Sequence, residues 1–172
     1  KMCLIEEFEP EHAHEFEAGR VRRFKKGSGL PLKVPVIDLI EIGAGGGSLA
    51  RVDNMGLLKV GPDSSGSDPG PVCYGQGGTQ PAVTDADLLL GYLSPEYFLG
   101  GEMDLDLSSV EGALQDTLAS ATGLSVTDVA AGIHSIVNEN MAAATRMYIA
   151  EKGRDPRRYA LVASGGAGPV HA

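Results

Sequence analysis

The chain has 172 residues, a formal net charge of −9, and 42% apolar and 22% charged residues, the profile of an acidic globular polypeptide rather than one that neutralises phosphate backbones. No stretch approaches the roughly 20 apolar residues needed to span a bilayer, so neither nucleic acid nor membrane is an expected partner. Twenty-four glycines and ten prolines exceed the usual share for a domain of this size and predict that loops do much of the shaping.

The chain opens on two strand-like runs, Met2–Glu6 and Phe16–Phe24, separated by a polar turn region with Pro10 at its edge. They are expected to pair as antiparallel neighbours. The basic residues Arg20, Arg22, Arg23, Lys25 and Lys26 alternate around Val21 and Phe24, as on the solvated face of a strand. His12 and His14 sit in acidic, loop-like sequence and read as surface residues. GSGLPLKVP is expected to be a loop, because Gly27, Gly29, Pro31 and Pro35 do not suit a central sheet.

EIGAGGGSLARVD, residues 41–53, packs four glycines into five positions and then alternates apolar with polar. With Asp53, Asn54 and Gly56 as turn residues before LLKVGP, a hairpin is the simplest account. The stretch from Gly61 to Val83 has almost no periodicity and should be functional or disordered, although Cys73 and Tyr74 suggest that it packs. Thr84 is placed as a helix N-cap, with Asp85 and Asp87 in a first turn where the helix dipole favours acids. A second helix should start at Ser108 or Ser109, bury Val110, Leu114 and Leu118, and end near Gly123.

The strongest periodicity lies beyond Gly123. Ser125 and Asp128 have capping-box spacing, Gly153 is a C-terminal glycine, and Val129, Ile133, Ile136, Val137, Met141, Ala144 and Tyr148 recur at helical spacing between them. One long helix with a buried stripe is predicted. Tyr159–Ala163 reads as a short buried strand, SGGAG as a tight turn, and Pro169 as the first position of a new helix. A start on a strand and a stop at a helix start are what a piece of a longer protein would show.

Two glycine-rich segments are candidate ligand loops. A dinucleotide fingerprint needs G-x-G-x-x-G opening a helix; counted from Gly43, its third glycine falls on Ser48, and the residues after it have a strand pattern. A phosphate loop of the Gly-Lys-Ser/Thr type is absent from both segments. Gly43, Gly45, Gly46 and Gly47 could form a backbone nest for an anion, with Ser48 as an extra donor, or simply a corner needing positive φ angles. ALVASGGAGP has the better context of strand, glycine turn and helix start, where unpaired N–H groups gather. Cys3 and Cys73 have no metal-type spacing and read as free thiols in a reducing compartment. No metal site is expected within the chain. With no apolar signal segment at the N-terminus, a cytoplasmic location is expected.

Over essentially its whole length the chain resembles the hydantoinase A family. The resemblance rests on LPLKVPVIDLIEIGAGGGSLARVD, GLLKVGPDSSGSDPGPVCYGQGGTQPAVTDADLLLGYL, FLGGEMDLD, VNENMAAATR and KGRDPRRYALVASGGAGPVHA. That family includes ATP-dependent N-methylhydantoinase, 5-oxoprolinase and the beta subunits of acetone and acetophenone carboxylases. The resemblance implies an α/β fold, part of an actin-like ATPase (ribonuclease H-like) domain with a glycine-rich loop insertion and a long helix in the C-terminal half. It makes residues 1–172 one fragment of the hydantoinase A domain: strands and glycine-rich loops over 1–83, mainly helices over 84–172. Both phosphate turns would lie upstream of Lys1.

By the same resemblance, ASGGAG matches the turn that packs on adenosine in actin-like ATPases, which makes Gly165, Gly166 and Ala167 the expected nucleotide contacts. The implied chemistry is ATP-driven activation of a cyclic amide or ketone carbonyl, with Mg²⁺ and a hydantoinase B-type partner subunit. Asp85, Asp87, Asn138 and Asn140 are candidate polar contributors, although for each a cap, ion-pair or helix hydrogen-bond role is the simpler account. No catalytic residue is assigned. The alternative is a non-catalytic scaffold or subunit-interaction domain in which the glycine loops are corners.

Overall fold

A computed structural model describes residues 1–19, 21 and 27–172. The chain divides into two units, residues 1–42 with 144–158, and residues 43–143 with 159–172. The described residues mix short antiparallel ribbons with helices, the mixed α+β appearance of a fragment of an α/β fold.

The described residues of unit one form eight short strands: β1 Met2–Cys3, β2 Ile5–Glu6, β3 Glu9–Pro10, β4 His12–Ala13, β5 Phe16–Ala18, β6 Leu30–Leu32, β7 Val36–Ile37 and β8 Leu39–Ile40. Among the described residues the expected partnership of Met2–Glu6 with Phe16–Phe24 is not found. β1 pairs with β8, β2 with β3, β4 with β7 and β5 with β6, all antiparallel. Glu7 and Phe8 take positive φ of 51° and 67° and turn the chain back between β2 and β3, so a local hairpin displaces the longer-range pairing. Pro31 lies within β6, contrary to the loop expectation; a ribbon of two strands leaves each with an unpaired edge where a missing N–H is tolerated. The basic cluster lies outside the described residues except for Val21, which is exposed.

Unit two holds the main core. β9 Ser48–Val52 and β10 Leu58–Ser64 form the expected hairpin, with Leu58 opposite Val52 and Val60 opposite Ala50. Its turn is closed by Asp53, whose carboxylate accepts from Met55 and Leu57 N–H, both at 2.9 Å. Beyond it, the aperiodic stretch is ordered. A 3₁₀ turn at Val72–Tyr74 buries Val72 and Cys73, and Tyr74 meets Phe98 with ring centroids 5.5 Å apart.

Helix α1 spans Val83–Leu89, so Thr84 lies inside it and Ala82 holds the N-cap position. Helix α2, Leu107–Leu114, is capped two or three residues earlier than Ser108 or Ser109, by Asp106 accepting from Ser109 N–H at 3.1 Å. It runs through a π turn at Gln115–Ala119 into α3, Ser120–Thr122, and stops at Gly123 with φ 72°. Val110, Leu114 and Leu118 are buried as expected.

Helix α4 spans Val126–Glu151. Ser125 Oγ accepts from Asp128 N–H at 3.1 Å, half of the capping box, while the shorter Asp side chain meets the Ser125 hydroxyl instead of its backbone. Val129, Ile133 and Val137 join the core of unit two, and Ile136 and Met141 pack partly buried against it. Unit one receives the last turns of α4. There Ala144, Tyr148 and Ile149 are buried, as are Leu4, Ile40 and Ile42, and Tyr148 donates its hydroxyl to Asp38 O at 3.1 Å. Lys152 pairs with Glu11 and Asp38, and Arg154 with Glu6 and Glu11.

The expected buried strand at Tyr159–Ala163 is not formed: Leu161 and Val162 are exposed, and the run has no ladder partner among the described residues. The helix expected at Pro169 is a single 3₁₀ turn, Gly168–His171. Among the described residues no helix is long and apolar enough to cross a membrane.

Candidate functional site

The two glycine-rich segments, more than a hundred residues apart in sequence, meet in unit two. Gly46 sits where a Cβ would lie 2.6 Å from Thr84 Oγ1 and 3.6 Å from the Ala167 Cβ. A side chain at Gly46 would displace the Thr84 hydroxyl and would touch Ala167 of the SGGAG turn at ordinary contact distance. The loop is anchored through its carbonyls: Gly45 O accepts from Ser48 N–H, Gly46 O from Thr84 N–H and Gly47 O from Ser65 N–H, at 2.8 to 3.0 Å.

Ser48 is buried, and its hydroxyl oxygen accepts from Gly45 N–H at 3.1 Å. That hydroxyl closes the turn of Gly43–Ser48. Gly43 adopts φ 68°, as a corner demands. Gly165, at φ 90°, and Gly166 are exposed, and a Cβ on either would meet open space.

The candidate acids separate into two roles. Asp85 is fully buried and accepts three backbone N–H bonds, from Cys73 at 2.8 Å, Ala82 at 2.7 Å and Val72 at 3.2 Å. It ties the 3₁₀ turn to the start of α1, a structural task. Burial, with the nearby Asp85 carboxylate as the second cause, pushes the Cys73 thiol well above the usual range. Both cysteines are free.

Asp87, two residues on, is 3% exposed at its side chain and meets two histidines. Its Oδ1 lies 2.8 Å from His134 Nδ1 and its Oδ2 lies 3.2 Å from His171 Nε2. Asn138 Oδ1 is 2.9 Å from His171 Nδ1. Tyr92 stacks on His134, and His134 on His171, with centroids 4.7 and 4.9 Å apart. So Asp87 and Asn138 are brought together, whereas Asn140 is exposed.

Neither His134 nor His171 stands out in the sequence as a site residue. One signal was available: His134 and Asn138 are at i, i+4 and share a helix face. The approach of His171 depends on the turn after SGGAG and leaves no local trace.

The family model of hydantoinase/oxoprolinase matches residues 1–172. The chain belongs to the hydantoinase/oxoprolinase family. It is 46% identical over 138 residues to the caprolactamase subunit alpha of Pseudomonas jessenii, covering 80% of this chain and 20% of that protein. Against the acetophenone carboxylase gamma subunit of Aromatoleum aromaticum it is 46% identical over 141 residues, covering 81% and 19%. The crystal structure of the ATP-dependent caprolactamase from Pseudomonas jessenii superposes with a TM-score of 0.75 at 42% identity, over 89% of this chain and 22% of that one. The chain therefore spans about a fifth of the length of these members of the hydantoinase/oxoprolinase family.

Proposed function

We propose that the protein carrying this chain is an ATP-dependent enzyme that activates the carbonyl of a cyclic amide or a ketone, and that residues 1–172 form an inner segment of its actin-like nucleotide-binding subunit. ATP is bound with Mg²⁺, and Gly165, Gly166 and Ala167 lie against the nucleotide. A hydantoinase B-type subunit or domain completes the enzyme, which works in the cytoplasm. The observation that carries this reading is the seating of Gly46 against Ala167: the family's two glycine-rich segments adjoin, and one leaves its backbone open for close approach. The relatives add chemistry, since a caprolactamase acts on a cyclic amide and an acetophenone carboxylase on a ketone. Activating either carbonyl requires preorganised donors and cationic charge where negative charge develops.

The test is ATP hydrolysis by the intact protein with its co-purifying subunits, with and without caprolactam, 5-oxoproline, hydantoin, acetone and acetophenone. Hydrolysis stimulated by at least one of them is expected; no stimulation by any would refute the proposal. Calorimetry with ATP and Mg²⁺ on Gly166→Val supplies the local test. A side chain at Gly166 meets open space within the protein, so a loss of binding of tenfold or more reports a ligand contact and not a packing defect. Equal binding would favour the scaffold alternative.

A further inference from the structure

We propose that Asp87, His134 and His171 form a binding site for one divalent first-row transition-metal ion such as Zn²⁺. The three residues come from α1, α4 and the turn after SGGAG, and one ligand atom from each lies within 4.8 Å of the others. Two ligand atoms bound at about 2.0–2.2 Å to one ion lie at most about 4.4 Å apart, so binding would draw this set inward by a few tenths of an ångström. Their side chains are 3%, 15% and 2% exposed, so the site is enclosed and its donors have been removed from water.

The hydrogen bonding of His171 separates an ion site from a plain hydrogen-bond network. Asn138 Oδ1 can only accept, so the 2.9 Å contact is a hydrogen bond donated by His171 Nδ1, and Nε2 is the ring nitrogen left for a ligand. Nε2 is buried and has no hydrogen-bond partner among the described residues, although Asp87 Oδ2 lies 3.2 Å away. A buried ring nitrogen without a hydrogen bond, beside a buried carboxylate oxygen, marks a position that a bound cation would satisfy.

An imidazole whose far nitrogen is held by an amide or carboxylate oxygen is the usual outer-shell arrangement around a bound metal. Asn138 has that positioning role here. His134 brings the second imidazole, oriented by Asp87 and by Tyr92 stacked on its ring. Two imidazoles and one carboxylate favour borderline ions such as Zn²⁺, Co²⁺ or Fe²⁺ over Mg²⁺ and Ca²⁺, which prefer all-oxygen sites.

The test uses the intact protein with its co-purifying subunits, stripped with a chelator and titrated with Co²⁺ and then Zn²⁺. Metal content is read by mass spectrometry and Co²⁺ ligation by its visible d–d absorption. Wild type should bind one more ion per chain than His171→Gln, with Co²⁺ bands that Zn²⁺ displaces. Asn138→Ala should retain the site with affinity about 10–100-fold weaker, the range for loss of an outer-shell partner. If His171→Gln fails to fold, the affinity difference for Asn138→Ala decides. Equal metal content and identical Co²⁺ spectra in wild type and His171→Gln, or unchanged affinity in Asn138→Ala, would overturn the proposal and leave a His–Asp–His hydrogen-bond network.

Discussion

Asp85 offers the sharpest test of how unit two holds together. It is a buried carboxylate with three N–H donors aimed at it, two at Oδ2 and one at Oδ1. In Asp85→Ala those donors lose their acceptor in a site closed to water, and each unsatisfied group costs about 1–3 kcal/mol. Removing a buried charge returns part of that, because its desolvation is no longer needed. The net expected loss is about 3–5 kcal/mol, the usual range when one partner of a buried charged network is deleted.

Asp85→Asn should lie in between. Its single carbonyl oxygen can serve Val72 and Ala82 N–H, while its NH₂ faces the Cys73 N–H, so about 1.5–3 kcal/mol is lost. Hydrogen exchange of the peptide spanning residues 71–83, measured in the intact protein, reads this locally. Each 1.4 kcal/mol is about a tenfold loss of protection, so the alanine variant should exchange more than a hundredfold faster and the asparagine variant roughly tenfold or more. Protection equal to wild type in Asp85→Ala would refute the argument that these three bonds hold the segment.

At Gly46, alanine should destabilise by about 1–3 kcal/mol because its Cβ would lie 2.6 Å from Thr84 Oγ1; adding Thr84→Ala should recover part of the loss in a double-mutant cycle of thermal melts, and strict additivity would contradict the contact. Cys73, fully buried with its thiol pushed up by burial and Asp85, should resist alkylation at pH 8 while the half-buried Cys3 is labelled, as mass spectrometry of native protein will show. Hydrogen bonds from Ser109 and Ser108 lower the Asp106 carboxyl from its ordinary 3.8 to about 2. A depressed pKa stabilises the fold above the unfolded value and is lost as pH falls through the folded one. The start of α2 should therefore loosen between about pH 4 and pH 2 in wild type, and Asp106→Asn should abolish that pH dependence in hydrogen exchange of residues 106–112.

Elements whose signal is local and repeated were legible in the sequence. The stripe from Val129 to Tyr148, bounded by Ser125 and Gly153, specifies α4, since helical spacing over so many residues leaves no other register that buries it. The hairpin at residues 48–64 is fixed by alternation around Asp53, Asn54 and Gly56. Mutual exclusion by chemistry was equally readable: the strand pattern after the glycines of residues 43–47, and the lack of a Gly-Lys-Ser/Thr ending, separate them from a dinucleotide or phosphate loop.

Pairings among short strands were not legible, because two- and three-residue runs such as Met2–Cys3 and Leu39–Ile40 carry too little pattern to choose a partner. The first-turn acids show the same limit. Asp85 and Asp87 have identical chemistry and neighbouring positions, and the sequence explains both by the helix dipole. Tertiary packing alone gives Asp85 three backbone donors and Asp87 two histidines, one from 47 residues downstream and one from the turn after SGGAG. The sequence by itself determined the family, the long helix and the hairpin whose glycine-rich corner lets backbone approach backbone. Only the folded chain decided which polar groups are enclosed together, because that depends on three separate elements closing over a volume from which water has been removed.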